Sequence, residues 1–411
     1  MIKPGRLLSM WTETSLVSRI LVGLVIGAIL GITVPQFTSI GILGQVFVNA
    51  LKALAPILVA LLVASSITNA GGGLGRRFRV VIFLYLLSTV MASLCAVTGS
   101  TLFPQTLSLT DVAEGAAPGN LNEIFGKLLT NMVANPLQSV TSANYIGILF
   151  WAVVAGLALK KTGGQTTINV LHDFAVVVTL LVKWVIQFAP FGILGLVFTS
   201  VSQSGLDIFT TYGRLLLLLV GCMLFNTLVL NPFVAYLLLR RNPYPLLFKC
   251  LRESGLNAFF TRSSAANIPI NLNLCKSLGI SEDFYSVSIP LGATINMNGA
   301  AVTITVMTLA VAHTVGVNVS FGSAMLLSIV ATLGACGASG VAGGSLLLIP
   351  MACSFFGISS DIAMQAVGVG FIIGVVQDSV ETALNSSADV FFTAIAEFYN
   401  RKKSNVKGTS A

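Results

Sequence analysis

The chain alternates long apolar stretches with short polar connections. A helix needs about 20 consecutive apolar residues to cross the hydrocarbon core of a bilayer. Eight stretches reach or contain that length, at 15–35, 41–70, 79–104, within 127–159, within 166–203, 207–239, 282–313 and 360–399. The pattern therefore predicts an all-α membrane protein with eight transmembrane helices.

Two further stretches, 245–276 and 318–355, are apolar but interrupted. The first is interrupted by the polar residues 261–269 and the second by the glycine-rich residues 334–344. Polar or glycine-rich backbone survives at membrane depth only where it is buried in protein or lines a cavity. We therefore predict that 245–276 and 318–355 are re-entrant helical hairpins.

The basic residues between the predicted helices fall on one side of this arrangement. They are Lys3, Arg6 and Arg19; Arg76, Arg77 and Arg79; Lys160 and Lys161; Arg240 and Arg241; and Arg401, Lys402, Lys403 and Lys407. The positive-inside rule makes that side cytoplasmic, together with both termini. The acidic loop with Asp111, Glu114 and Glu123 is then outside, and the hairpins enter from opposite sides, as in an inverted repeat with a central site.

Composition agrees with a lipid-embedded chain and excludes several other classes. Of the 411 residues, 55% are hydrophobic and 9% are charged, whereas soluble proteins spend about 25% on charge. The net charge of +8 is spread over small clusters without a basic face, so no nucleic-acid partner is predicted.

No feature of the sequence predicts an enzyme or a metal centre. The six cysteines form no CxxC pair, only two histidines are present, and we interpret the thiols as core residues. HExxH, GxSxG and Walker A motifs do not occur in a suitable context. We predict neither an enzyme nor a resident cofactor.

Segment 360–399 carries a dense set of polar and ionisable residues among apolar ones. Asp378, Glu381, Asn385 and Asp389 are separated by 3, 4 and 4 residues, which places them on one stripe of a helix together with Thr382. Ionisable groups inside a membrane are costly and usually functional. We predict that this stripe forms the site; the alternative is that it only holds helices together.

Segment 282–313 has two amides, Asn296 and Asn298, beside Gly299. This pattern suggests a local unwinding with free carbonyls, and such oxygens suit hard cations; the alternative is a kink with interhelical hydrogen bonds.

At the tip of the first hairpin, Arg262 is the only basic residue. Buried there it needs an anionic partner, Asp378 or Glu381; otherwise it faces cytoplasmic water.

These residues resemble a known family along the whole chain, the dicarboxylate/amino acid:cation symporters of the glutamate-transporter fold. The resemblance rests on residues 262–264, on the string 290–299 (PLGATINMNG), on the glycine-rich hairpin and on the 378–389 stripe. Residues 377–379 and 381–387 resemble in particular the bacterial branch that carries serine and threonine with sodium. The family implies a homotrimer with a fixed scaffold, about 15–70 and 127–203, and a transport part, about 79–104 and 207–400, that moves as an elevator.

The resemblance also implies roles for single residues. Asp378 holds the substrate ammonium; Thr382, Asn385 and Ser264 hold its α-carboxylate; Glu381, Arg262 and Ala338 complete the substrate site. One sodium site uses Asn296, Asn385, Asp389 and the Gly292 carbonyl, and a second uses Thr294 with backbone near Thr332 and Leu333. A possible third cation site is Tyr85, Ser88, Thr89 and Asn298, where Asn298 replaces the family's usual aspartate.

Two departures from the family decide the expected substrate. Dicarboxylate carriers have arginine where this chain has Glu381, and threonine where it has Ala300; both hold the substrate's side-chain carboxylate. Their loss favours a small neutral amino acid. We expect a symporter that imports serine and threonine with sodium through the bacterial cytoplasmic membrane, with Asp378 on the substrate and Glu381 paired with Arg262.

Other functions remain open from the sequence alone. Within transport, the alternatives are a sodium- or proton-coupled C4-dicarboxylate carrier or a carrier of other neutral amino acids. Outside transport by a carrier, an ion channel is disfavoured, because a glycine-rich second hairpin that acts as a gate over a single occluded site does not leave a continuous pore. A membrane-embedded enzyme is a more remote alternative.

Overall fold

The computed structural model describes residues 14–69, 76–109, 129–338 and 343–408, and this part of the chain is all-helical. Its first nine helices are α1 Leu16–Thr33, α2 Gly41–Asn69, α3 Arg76–Leu102, α4 Pro136–Thr141, α5 Tyr145–Thr162, α6 Gln165–Gln187, α7 Ala189–Ser204, α8 Asp207–Phe225 and α9 Asn231–Leu239. The others are α10 Tyr244–Cys250, α11 Leu256–Thr261, α12 Ser264–Ser277, α13 Glu282–Ile295, α14 Asn298–Thr314, α15 Phe321–Ala335, α16 Ile349–Ser354 and α17 Ser360–Gly408. Lys3, Arg6, Asp111, Glu114, Glu123 and Gly340 lie outside the described residues.

Seven helical stretches in the described residues are long and apolar enough to cross a membrane. They are Thr38–Ser65, Arg76–Leu102, Tyr145–Thr162, Gln165–Gln187, Asp207–Leu239, Glu282–Thr314 and Ser360–Lys402. The first predicted helix, 15–35, forms α1, whose 18 residues include a shorter apolar stretch, Ser18–Thr33. The class of a multi-pass helical membrane protein is thus confirmed.

Two predicted helices are each divided in the structure. Segment 166–203 forms α6 and α7, which meet at Phe188, because Pro190 at the start of α7 cannot donate a backbone hydrogen bond to the preceding turn. Segment 127–159 forms α4 and α5. Here Ala143 takes a left-handed conformation (φ 53°), and the Asn144 side chain caps α5 by accepting from the backbone N–H of Gly147 at 3.2 Å.

The predicted unwinding of segment 282–313 is confirmed. Helix α13 ends at Ile295, the next two residues are non-helical (Asn296 φ −91°, ψ 70°; Met297 φ −111°, ψ 51°), and α14 begins at Asn298. A helix interrupted in this way leaves backbone carbonyls without intrahelical partners. The interruption lies inside a stretch whose side chains are almost all buried.

Each interrupted segment forms a pair of contacting helices. In the first, α10 continues through the π-turn Leu251–Gly255 into α11, and the chain turns at Arg262 (φ 51°) into α12. In the second, α15 is followed by the 3₁₀ turn Leu346–Leu348 and α16, and α15 contacts α16. The residues 339–342 between them are outside the described part. We call the two units hairpin 1 (244–277) and hairpin 2 (321–354).

The helices pack mostly within two groups. In one, α2 contacts α5, α6 and α7, and α1 lies on α7. Gly23 and Gly27 of α1 face the backbone of α7 so closely that a Cβ atom would lie 2.2 and 2.5 Å from its carbonyl oxygens. In the other group, α17 is central and contacts α3, α8, both hairpins, α13 and α14. The Lys52–Asp361 ion pair joins the two groups, from α2 to the start of α17.

Candidate functional site

Helix α17 turns its polar stripe into the protein. Asp378, Glu381, Thr382, Asn385 and Asp389 have exposed fractions of 2%, 5%, 6%, 3% and 1%. The stripe faces α14, the break between α13 and α14, and both hairpins. Three carboxyl groups are therefore held in the interior of a helical bundle, where each needs hydrogen-bond or cationic partners.

Asp378 joins the two hairpins. Its Oδ2 accepts from Arg262 Nε of hairpin 1 at 2.6 Å, and its Oδ1 accepts from the backbone N–H of Gly343 in hairpin 2 at 3.1 Å. Arg262 is 8% exposed and also donates to the Gly374 carbonyl at 3.3 Å. The expected pairing of Arg262 with Glu381 is wrong: the left-handed turn at Arg262 places its guanidinium beside the carboxylate one turn earlier on α17.

Glu381 lies instead in a set of uncharged donors. Its Oε2 accepts from Thr303 Oγ1 of α14 at 2.7 Å, from Ser345 Oγ of hairpin 2 at 2.8 Å and from Gln377 Nε2 of α17 at 2.6 Å. Gln377 also donates to Thr303 Oγ1 at 2.7 Å. Within the described part of the chain, Glu381 has no ion-pair partner. We call Thr303, Ser345, Gln377 and Glu381 the Glu381 cluster.

Asn385 is fixed against the start of α14. Its Oδ1 accepts from the backbone N–H of Gly299 at 2.8 Å. A Cβ atom on Gly299 would lie 3.1 Å from Glu381 and 3.2 Å from Asn385, so glycine allows α14 to approach α17 here. Thr382 on α17 and Ser264 at the start of α12 are also buried, with exposed fractions of 6% and 1%.

Asp389 and Asn296 carry oxygens without partners. Asn296 Nδ2 donates to Asp389 Oδ1 at 2.8 Å and to the Asn385 carbonyl at 3.3 Å. The other carboxylate oxygen, Asp389 Oδ2, and the amide oxygen, Asn296 Oδ1, are buried without a hydrogen-bond partner. Gly292 is adjacent, since a Cβ atom added to this glycine would lie 2.7 Å from Asp389 Oδ1. A buried carboxylate oxygen and an amide oxygen left free in one place can ligate a hard cation.

The residues expected at the second sodium site are partly engaged within their own helices. Thr294 Oγ1 donates to the Leu291 carbonyl at 2.7 Å, and Thr332 Oγ1 donates to the Ser328 carbonyl at 2.7 Å. The Leu333 side chain is 49% exposed, and Ala338 is buried at the last described residue before the tip of hairpin 2. These bonds leave the hydroxyl lone pairs and the backbone carbonyls available to a cation.

The residues of the possible third site form a buried hydrogen-bonded group. Asn298 Nδ2 donates to Ser88 Oγ at 3.1 Å, and Ser88 Oγ donates to Asn231 Oδ1 of α9 at 2.8 Å. Thr89 Oγ1 donates to the Tyr85 carbonyl at 2.8 Å. The phenol of Tyr85 lies 3.1 Å from the Asp389 carbonyl. Asn231 was not predicted from the sequence, because it and Asn226, the two amides of this apolar segment, are five residues apart and show no helical periodicity.

A buried polar group that was not predicted from the sequence joins hairpin 1 to α17. Asn267 Nδ2 donates to Ser386 Oγ at 2.8 Å and to Ser254 Oγ at 3.0 Å, and Asn271 Nδ2 donates to the Ser386 carbonyl at 3.1 Å. Asn267 and Asn271 are one helical turn apart, and this spacing is the signal that could have identified them. The group holds hairpin 1 beside the site.

Comparison with known proteins assigns the chain to a family. The model of the sodium:dicarboxylate symporter family matches residues 16–398. The chain belongs to the sodium:dicarboxylate symporter family. The match includes both hairpins, the break between α13 and α14, and the whole stripe of α17.

Several members of this family resemble the chain over nearly its full length. A protein of Bifidobacterium adolescentis named serine/threonine transporter SstT is 59% identical over 390 residues, which cover 95% of this chain and 91% of the relative. Proteins of the same name from Streptococcus thermophilus and Streptococcus agalactiae are each 54% identical. Their alignments cover 97% and 95% of this chain, and 100% and 98% of the respective relatives.

Proposed function

We propose that this member of the sodium:dicarboxylate symporter family imports serine and threonine together with sodium. The observation that carries the proposal is near full-length identity of 54–59% to relatives named serine/threonine transporters. The site is compatible with such a substrate, because it combines buried carboxylates, hydroxyls and amides in one place. The chain is a transporter and not an enzyme, as are the relatives by name.

Sodium is the proposed coupling ion. Asp389 Oδ2 and Asn296 Oδ1, both buried without partners, would be ligands with the Gly292 carbonyl and Asn385. A sodium ion bound by these two unpartnered oxygens would offset the desolvation cost that they carry in the interior of the protein. Thr294 and backbone near Thr332 and Leu333 would form a second site. The set Tyr85, Ser88, Thr89 and Asn298 would hold a third cation only through neutral oxygens.

In the substrate site, Asp378 would bind the ammonium, while Thr382, Asn385 and Ser264 would bind the α-carboxylate. Since Arg262 already bonds to Asp378, the ammonium would share or replace that contact. Ala338 and the tip of hairpin 2 would cover the substrate. Glu381 and the small Ala300 disfavour the alternative of a C4-dicarboxylate carrier, because a second carboxylate on the substrate would meet a carboxylate of the protein.

The transport cycle would use the two groups of helices as separate bodies. Eight membrane-crossing segments and two re-entrant hairpins, related as inverted repeats, would place the site near the middle of the bilayer. The group containing α1, α2, α5, α6 and α7 would be a trimeric scaffold, and the group around α17 would slide against it. The chain would lie in the bacterial cytoplasmic membrane with both termini inside.

Competition against labelled serine tests the proposed substrate class. In proteoliposomes with an inward sodium gradient, excess unlabelled threonine is expected to suppress uptake of labelled serine, whereas aspartate and glutamate leave it unchanged. Strong inhibition by either acid would refute the exclusion of side-chain carboxylates by Glu381 and Ala300. A lack of inhibition by threonine would refute the assigned substrate pair.

A further inference from the structure

A long apolar groove runs between α3 and α8, on the surface of the helix group that contains α17. Its volume is about 890 Å³, and one face of each helix forms its walls. The side chains of Leu102, Leu217 and Phe225 in these walls are 68%, 75% and 50% exposed. Both helices belong to stretches that are long and apolar enough to cross a membrane. The groove is therefore open to the hydrocarbon of the lipid.

Small residues where the two helices face each other shape this groove. The Cys95 sulfur on α3 lies 3.8 Å from the Cys222 carbonyl oxygen on α8. A Cβ atom added to Gly99 would lie 2.6 Å from the Cys222 sulfur and 3.2 Å from the Leu218 side chain, so the helices touch here. Gly221 also lines the groove, but a Cβ atom added to it would meet nothing within 4 Å. The helices thus touch at the bottom of the groove, while the wall at Gly221 leaves space unfilled.

One end of the groove is charged and the rest of its lining is uncharged. The contacts of Cys95 with Cys222 and of Gly99 with Leu218 show that α3 and α8 run antiparallel, which brings Arg214 level with the end of α3. Arg214 is exposed, and among the described residues that line the groove it is the only charged one. It forms no ion pair within the described part of the chain. The groove continues from there for about 16 Å along α8, to Phe225.

We propose that the groove between α3 and α8 binds one acyl chain of an anionic phospholipid, with the phosphate of its headgroup on Arg214. An unpaired cation at one end of a long apolar groove matches a lipid, which joins an anionic headgroup to a hydrocarbon chain, and a guanidinium binds phosphate in a bidentate way. No acidic residue lines the described groove, and the nearest acid on α8, Asp207, lies about 10 Å away along the helix axis. A headgroup with net negative charge is therefore favoured over a zwitterionic one. In the proposed orientation, this end of the groove lies in the outer leaflet.

The two parts of the site are expected to have separate effects. One basic side chain near a membrane surface favours anionic lipid by about 5-fold in affinity. The parent protein should therefore retain about 5-fold more phosphatidylglycerol than phosphatidylcholine with the same acyl chains. Arg214→Gln should bring this ratio close to 1, because the chain still binds but the charge is gone. Gly221→Leu places a side chain in space that no protein atom occupies, and it should lower the retained amount of both lipids several-fold.

The test measures lipid that stays bound to the purified full-length protein in detergent, by native mass spectrometry after incubation with equal amounts of the two lipids. Lys183→Gln is the control for charge, because Lys183 is an exposed basic residue near the end of α6 and does not line the groove. Gly213→Leu is the control for added bulk, since a Cβ atom there also meets nothing within 4 Å and Gly213 lies outside the groove. Both controls should retain lipid as the parent does, and excess inorganic phosphate should displace none of it.

Each result either supports the lipid site or overturns it. Loss of the anionic preference in Arg214→Gln, together with less total lipid in Gly221→Leu, supports it. An unchanged ratio in Arg214→Gln, or the same change in Lys183→Gln, would mean that Arg214 does not select the headgroup. Unchanged retention in Gly221→Leu would mean that the lipid binds elsewhere, and displacement by phosphate would mean an anion site without a chain. A parent protein that retains no lipid, whether it is monomeric or associates with a second copy through this face, would also overturn the inference.

Discussion

At the scale of single residues, the site is a set of charges that lack enough partners within the protein. Among the described residues, Arg262 is the one cation bonded to the stripe of α17, and it contacts Asp378. Glu381 has neutral donors, and Asp389 has one amide donor and one free oxygen. In the proposed function, the remaining partners come with the cargo, as the ammonium of the substrate and a sodium ion.

The first prediction concerns Asp389. In Asp389→Asn the proposed sodium site loses its only carboxylate, so the sodium concentration for half-maximal serine uptake should rise ~10-fold or more. The preference for serine over other amino acids should change little, since Asp389 is not a proposed ligand of the substrate. Asp361→Asn, an exposed position on the same helix, is the control. Parent-like sodium activation in Asp389→Asn would remove this residue from the site.

The second prediction concerns Asp378 and Arg262. Asp378→Asn should abolish binding of every substrate, because all of them carry the ammonium. It also leaves a buried guanidinium without its anion, which costs about 3–5 kcal/mol of stability. The double variant Asp378→Asn with Arg262→Gln should recover part of the loss in thermal unfolding temperature while remaining unable to bind. If the two changes lowered stability additively, the ion pair would have no role in the fold.

The pairing of Arg262 with Asp378 shows how far the contacts of single residues could be predicted from the sequence. Spacing along a helix was sufficient to place five polar residues on one stripe, because the helical repeat alone determines that geometry. It could not decide which carboxylate Arg262 contacts, since that depends on a left-handed turn in another element. Thr303, Ser345 and Asn231 were missed for a related reason: single hydroxyls and amides become informative only once tertiary packing brings them together.

At the scale of helices, interruptions position the site. The break at Asn296 and Met297 and the two hairpins were predicted, because asparagine pairs and glycine-rich strings inside apolar segments signal them directly. The divisions at Pro190 and at Ala143 were not predicted, since apolar composition continues across both. Composition sets which segments enter lipid, whereas a single proline or cap residue sets where a helix ends.

The third prediction uses the close approach of α13 to α17. A methyl group on Gly292 would lie 2.7 Å from Asp389 Oδ1 and 2.9 Å from the Tyr85 phenol. Gly292→Ala should therefore displace Asp389 and raise the sodium requirement of serine uptake several-fold. Gly213→Ala on α8, where nothing lies within 4 Å, is the matched control and should behave as the parent. An unchanged sodium requirement in Gly292→Ala would mean that α13 does not constrain the cation site.

At the scale of the whole molecule, packing in two groups is the feature that a transport cycle can use. Contacts are dense within each group, and the Lys52–Asp361 ion pair crosses between them near the start of α17. An exposed ion pair contributes little stability, about 0–1 kcal/mol, so it would not prevent relative movement. The sequence could assign helices to membrane segments but could not show which helices share a group.

The fourth prediction concerns orientation. The proposed orientation, which rests on the basic residues between segments, has both termini and the connection between α5 and α6 on the cytoplasmic side. In a background without native cysteines, Glu114→Cys should react with a membrane-impermeant thiol reagent added to intact cells. Lys161→Cys should react only after permeabilisation. Labelling of the second variant and not the first from outside would invert the proposed topology.

The most direct test of sodium-coupled import is uptake against a serine gradient. Proteoliposomes are loaded with more unlabelled serine inside than outside, and net movement is followed with sodium outside only, with equal sodium on both sides, or with choline. The account predicts net inward movement of serine only under the inward sodium gradient, and its collapse when an ionophore equalises sodium. Equal movement down the serine gradient in all three conditions would show that sodium does not drive transport and would contradict the proposed function.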